Sequence, residues 1–139
     1  MTNTINMQDI MNLNLFSKIT HVQTSYCFTY NNILMFCVPK NKISQALGRQ
    51  GENLKIISNK IRKRIRIIPK PKDINDLKDF FQLIINPAEF KDIKVTDNEI
   101  IITAGGKENK AILLGREKRR YEEMKKILKN FFNKEYKVM

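Results

Sequence analysis

Apolar residues recur along the chain at helical spacing in some stretches and in alternation in others, and these two periods divide it into elements. Over residues 7–18, Met7, Ile10, Met11 and Leu15 fall near one helical face. The spacing predicts an amphipathic helix buried on that face, with Asn6 and Asp9 as its N-terminal capping pair. Two apolar-rich stretches, residues 25–30 and 33–38, flank Asn31-Asn32. Asparagine tolerates positive φ, so this reads as a hairpin with a two-residue turn. Pro39 ends the second strand. Helical spacing then runs over residues 42–47, breaks at Gly48-Arg49-Gln50-Gly51, and resumes over residues 52–61 with Leu54, Ile57 and Ile61 in one stripe. Residues 64–68 alternate like a strand and stop at Pro69.

The same order returns after a shift of 67 positions. Residues 73–85 read as a helix closed by Pro87, residues 91–96 and 99–104 as strands around Asp97-Asn98, and residues 109–114 as a helix. Asn31 falls on Asn98, Leu47 on Leu114, Gly48 on Gly115, Leu54 on Tyr121, Ile57 on Met124 and Ile61 on Leu128. Residues 135–138 stand where the strand at 64–68 stood. One supersecondary unit used twice accounts for this more simply than a single larger fold. The expectation is an α+β chain of two units, residues 1–70 and 71–139, each helix-strand-strand-helix-helix-strand, joined by a stiff Pro69-Lys70-Pro71-Lys72 linker. The two-residue turn sets Tyr30 opposite Ile33 and Cys27 opposite Phe36, so Cys37 points to the other face and a disulfide is geometrically poor. Two lone sulfurs also make a weak metal site, and core packing is the reading we favour.

A four-residue turn between helices, with glycine at each end, suits a phosphate backbone. Glycine admits positive φ and close approach, and the next helix offers its N-terminal amides. Arg49 adds a cation. The strand ending Phe36-Cys37-Val38-Pro39, the run Ala46-Leu47-Gly48-Arg49-Gln50-Gly51-Glu52-Asn53-Leu54-Lys55, and the closing helix over 124–132 before a last strand resemble a pair of type II KH domains. More narrowly they resemble the short, archaeal-type NusA-like transcription termination factors. The resemblance implies small sheets packed on helices, with about four nucleotides of single-stranded RNA clamped per unit. It places Gly48, Arg49, Gln50 and Gly51 on the sugar-phosphate backbone, and Leu47 and Leu54 in the apolar floor under the bases. Asn53 and Lys55 join them in the expected RNA surface. The second copy reads Gly115-Arg116-Glu117-Lys118. It lacks the second glycine and carries a carboxylate, so Lys118 is expected to resist a positive-φ turn. Arg116, Lys118, Arg119 and Arg120 are then a secondary basic surface rather than a clamp.

Charge strengthens the polyanion reading. The 26 Lys+Arg against 14 Asp+Glu give a net charge of +12, with +9 of it in residues 1–70. Phosphate neutralisation releases counterions, so such a balance favours nucleic acid or an acidic surface. The run Arg62, Lys63, Arg64 and Arg66 follows the loop's own helix, and we read it as RNA-facing rather than as an ordinary solvated face. Phe80, Phe81, Phe131 and Phe132 sit in helical stretches and read as core. Tyr26, Phe28 and Tyr30 alternate on a strand and read as packing residues. His21 stands without a catalytic companion. No metal-ligand cluster, phosphate loop ending in Gly-Lys-Ser/Thr or nucleophile–base pair is present, so neither enzyme activity nor a cofactor is expected. No apolar run approaches the roughly 18 residues of a membrane span. The first residues lack a signal peptide's basic start and apolar stretch. The sequence therefore predicts a cytoplasmic monomer without membrane contact. Its partners would be single-stranded RNA and, by the resemblance, RNA polymerase or other transcription proteins. Two other settings remain open: a protein-docking KH module on polymerase, and an RNA-binding factor in ribosome assembly or translation.

Overall fold

A computed structural model describes residues 6–139, so the first five residues of the expected first unit lie outside the described residues. The chain divides into two compact units at the Lys70–Pro71 peptide. Each is a three-stranded sheet packed on helices, in the expected α+β order.

The first unit opens with α1 (Met7–Thr20), where the Asn6 side chain accepts the Asp9 N–H at 2.8 Å, the expected cap. Its buried face differs from the expected one. Met7 and Met11 are 72% and 58% exposed, and Ile10 is exposed too, while Asn12, Phe16 and Thr20 are buried. Phe16 decides the orientation. It is fully buried and stacks on Phe36 with ring centroids 4.3 Å apart. The helix turns toward its one large aromatic, and the polar residues on that face find partners: the Thr20 hydroxyl donates to the Phe16 carbonyl at 2.8 Å, and Asn12 accepts from Gln8 at 3.0 Å.

Strands β1 (Tyr26–Tyr30) and β2 (Ile33–Val38) pair antiparallel through Asn31 and Asn32, both at positive φ. Cys27 faces Phe36 across the ladder and Tyr30 faces Ile33, as the two-residue turn requires. After α2 (Ile43–Leu47) and α3 (Glu52–Ile61), strand β3 (Arg64–Pro69) returns parallel to β2 and leaves β2 central. Leu34, Phe36 and Val38 point from β2 toward the helices and meet Phe16, Ala46 and Ile57, with Ile65 and Ile67 packed beside them.

The second unit repeats this with α4 (Leu77–Ile85), β4 (Asp92–Val95), β5 (Glu99–Thr103), α5 (Lys107–Leu114), α6 (Arg119–Phe132) and β6 (Glu135–Val138). β5 is central, antiparallel to β4 and parallel to β6. Phe80 and Phe81 are buried as expected, Phe80 against Phe131 at 4.9 Å and Phe81 against Tyr136 at 6.0 Å. The shift of 67 holds only in the middle of the repeat. Asp97-Asn98 occupies the turn of Asn31-Asn32, so the hairpins are 66 positions apart and Asn31 matches Asp97, not Asn98. Asp97 and Asn98 also keep negative φ, and the Lys134 ammonium holds their turn by donating to the Thr96 and Asp97 carbonyls at 2.7 Å each. Helix α6 has 14 residues against 10 in α3, so the last strands are 71 positions apart.

Neither thiol is bonded to the other. Burial first, then Asp9 nearby, pushes Cys27 up to about 12 from 9.0, and burial pushes Cys37 up as well. A thiol raised in the folded state stays protonated through neutral pH. Its contribution to stability is therefore intact below about 9, the ordinary thiol value, and is lost as pH rises toward about 12.

Two outcomes are expected. Phe16→Ala should cost about 3–5 kcal/mol in urea unfolding of the first unit, whereas Met11→Gln should change stability by less than about 0.5 kcal/mol. At pH 8, Cys27 should react with a thiol reagent roughly tenfold or more slowly in the folded than in the urea-unfolded chain, because the thiolate is the reacting species.

Candidate nucleic-acid interface

The Gly loop is built on two different glycine requirements. Gly48 closes α2 at φ 75° and ψ −179°, a combination open only to glycine. A Cβ there would meet Asn53 Nδ2 at 2.8 Å and Cγ at 2.9 Å. Asn53 occupies that space because its amide donates to the Gln45 carbonyl at 3.4 Å, while Gln45 in turn donates to the His21 carbonyl at 3.2 Å. Asn53 is thus a strut of the loop as much as a candidate contact. Gln50 (φ 54°, ψ 30°) and Gly51 (φ 71°, ψ 22°) are left-handed, and a Cβ on Gly51 would meet nothing within 4 Å. The open side of the loop is therefore at Gly51.

Arg49 and Gln50 are exposed at the tip. Gly51 is the N-cap of α3 and provides no side-chain acceptor, so the first-turn amides of α3 present their positive end without a side-chain cap. Leu47 and Leu54 are half-buried beside the loop, and Lys55 is exposed on the first turn of α3.

The rest of the expected basic surface is not gathered there. Arg62 is the left-handed C-cap of α3, and the Lys63 carbonyl accepts the Ser58 hydroxyl at 2.7 Å. Both lie at the far end of a ten-residue helix, about 15 Å from the loop. Ile65 and Ile67 of β3 point to the helices, so by strand alternation Arg64 and Arg66 point to the opposite face. Burial, followed by the charge of Arg64, lowers the pKa of Arg66. Sequence spacing hid this division: the run is nearly contiguous in the chain but crosses from a helix end through a turn to the strand face turned away from the helices.

The second loop corrects the sequence expectation. Gly115 stands at φ 74° and ψ 174°, Glu117 at φ 55° and ψ 28°, and Lys118 at φ 59° and ψ 28°. Lys118 takes the left-handed conformation of Gly51. Only the first glycine is in a glycine-only region; the last position is left-handed, which a lysine reaches at a cost of about 1 kcal/mol. The strut recurs with different chemistry, since Arg120 fills the space under Gly115 and donates to the Ile112 carbonyl at 3.2 Å. Arg120 is therefore held by its own helix pair, while Arg116, Lys118 and Arg119 are exposed around Glu117. Among the described residues, no cluster of three His, Cys, Asp or Glu side chains is placed to hold a metal ion.

A three-stranded sheet with a glycine-opened helix-loop-helix, used twice, defines a tandem KH-like protein of the α+β class. The chain resembles the solved crystal structure of APE1850, with a TM-score of 0.65, 21% identity and coverage of 96% of this chain and 99% of that one. That likeness concerns the fold. No family model matches the chain. By sequence it is 31% identical over 100 residues, 70% of this chain and 56% of the relative, to the probable transcription termination protein NusA of Methanococcus vannielii. It is 28% identical over 88 residues, 63% of this chain and 46% of the relative, to the protein of the same name in Methanocaldococcus jannaschii. The chain spans about half the length of these curated relatives. Over that span its sequence is NusA-like, similar to these two archaeal proteins.

The loop geometry sets an order of tolerance. Gly48→Ala should destabilise the first unit by more than about 2 kcal/mol, through strain and the Asn53 clash together. Gly51→Ala should cost about 1 kcal/mol, and Lys118→Gly should stabilise the second unit by up to about 1 kcal/mol. Urea titration of the three variants checks the order; equal costs at Gly48 and Gly51 would contradict it.

Proposed function

We propose that this protein binds single-stranded RNA on the Gly48–Gly51 loop and acts in transcription termination, antitermination or elongation, with RNA polymerase or another transcription protein as partner. The observation that carries the RNA reading is the open side of the loop. Gly51 has free space where a Cβ would be, the N-terminus of α3 has no side-chain cap, and Arg49 and Lys55 are exposed beside it. A phosphate backbone suits that arrangement, because amides and cations both favour negative charge and neither needs a base-specific partner. The half-buried Leu47 and Leu54 offer apolar surface to unstacked bases. Binding, not catalysis, is the role these residues are suited to.

The second loop supports a weaker contact with RNA. It keeps the backbone course of the first and exposes Arg116, Lys118 and Arg119, while Glu117 opposes phosphate at the tip. Arg62 and Lys63 add charge at the far end of α3 rather than contacts at the loop. The transcription setting rests on the two NusA relatives. No described helix is long and apolar enough to cross a membrane.

Fluorescence anisotropy of labelled single-stranded RNA tests the reading. Affinity should fall with salt at a logarithmic slope of about −0.7 per phosphate contacted. Arg49→Asp with Gln50→Asp should abolish binding, and Glu117→Gln should strengthen it a few-fold. Salt-insensitive binding, or binding unchanged in the double variant, would refute the loop assignment. Co-purification with RNA polymerase rather than ribosomal subunits tests the setting.

A further inference from the structure

The first unit has a cleft of about 380 Å³ between α1 and the segment that leads into β1, with the end of β2 as its third wall. Its size falls within the range of sites that enclose small molecules or single groups of larger ones. Asn14 and Ser17 line it from α1, Gln23 from the segment before β1, and Tyr26 and Pro39 give it apolar surface. Among the described residues, Lys70 is the one charged residue lining it, and no carboxylate does. The Lys70 backbone is fixed by its N–H bond to the Val38 carbonyl at 2.8 Å, and its ammonium stands 4.4 Å from the centre of the Tyr26 ring.

This lining has the chemistry of a nucleotide site. Side-chain amides and a hydroxyl can pair with the edge of a base, apolar walls can flank its faces, and the Lys70 ammonium favours a phosphate. The cleft is also tied to the Gly loop. Asn53 under Gly48 donates to Gln45, and Gln45 donates to the His21 carbonyl, two residues before the cleft residue Gln23. Pro39 precedes Gly48 by nine residues of mostly helical turns. A straight helix of nine residues would rise about 14 Å, the length of about four stacked nucleotides at roughly 3.4 Å each, and this segment is a 3-10 turn followed by α2.

We propose that this cleft takes one nucleotide of the RNA strand whose backbone lies on the Gly48–Gly51 loop, an inference that rests on the RNA reading of that loop. The first unit would then read a longer segment than the loop alone holds, with a base pocket at one end and a phosphate clamp at the other.

Two labelled oligoribonucleotides, of about four and about eight nucleotides, separate the two contacts when their affinities are compared at one salt concentration. The wild-type protein should bind the longer one about tenfold more tightly, the gain of one enclosed base. Asn14→Trp fills the cleft from an exposed helix position without changing charge. It should remove the length gain and leave the affinity for the short oligonucleotide unchanged, with far-UV circular dichroism confirming the fold. Lys70→Gln should reduce the same gain. A length gain that survives both substitutions would overturn the cleft assignment while leaving the loop intact. A wild-type protein that binds neither oligonucleotide, or an Arg49→Asp/Gln50→Asp variant that binds both normally, would refute the loop reading instead. A free nucleoside monophosphate binding as tightly as the longer oligonucleotide would assign the cleft to free nucleotides and overturn its place on the strand.

Discussion

Both loops of this protein depend on one backbone corner, at Gly48 and at Gly115. With φ near 75° and ψ near 180°, the chain leaves one helix and enters the next in a single four-residue turn. The space that a Cβ would occupy belongs to a side chain five residues on, which reaches back to the last turn of the preceding helix. An amide does this in the first unit and a guanidinium in the second. The corner fixes the angle between the two helices, and with it the exposure of the loop tip and the direction of the second helix N-terminus. A side chain at that glycine would strain the backbone and displace the strut together, so the constraint acts twice at one position.

The two glycines of the first loop therefore have separate causes. Gly48 answers to the protein's own packing, whereas Gly51 faces open space and a left-handed backbone that other residues can adopt. The second unit shows the consequence: it keeps the packing glycine and replaces the other by Lys118 without changing the course of the chain. Loss of a glycine from such a motif does not mean loss of its geometry. What changes is the electrostatic character of the tip, where Glu117 and Lys118 stand in place of Gln50 and Gly51.

Charge is distributed by secondary structure rather than by sequence position. Arg49 and Lys55 stay at the loop because α3 begins there, while Arg62 and Lys63 are carried to its other end. Strand alternation then sends Arg64 and Arg66 away from the helices that Ile65 and Ile67 cover. A run that looks like one basic surface in the chain becomes two separate placements, neither of them at the loop. The cleft beside α1 has the opposite history, since Lys70 is far in sequence from Asn14 and Gln23 and meets them only because α1, the segment before β1 and the end of β3 converge.

The order of elements, the two-residue Asn31-Asn32 turn, the facing of Cys27 against Phe36 and the double use of one unit were legible in the sequence, because hydrophobic period and turn chemistry are local properties. The likeness to NusA-type factors was legible as well, carried by the glycine loop and its flanking apolar spacing. Local reasoning failed where a choice depends on a distant partner. Residues 7–18 offered an apolar face of Met7, Ile10, Met11 and Leu15, yet the stacking of Phe16 on Phe36, twenty residues on, leaves the first three exposed and Leu15 half-buried. The role of Asn53 under Gly48, the left-handed Lys118 and the extra turn of α6 were likewise settled by what packs against them. Period and turn residues state which elements form; only the packed core determines which face each one buries, and which polar side chains are left for a ligand.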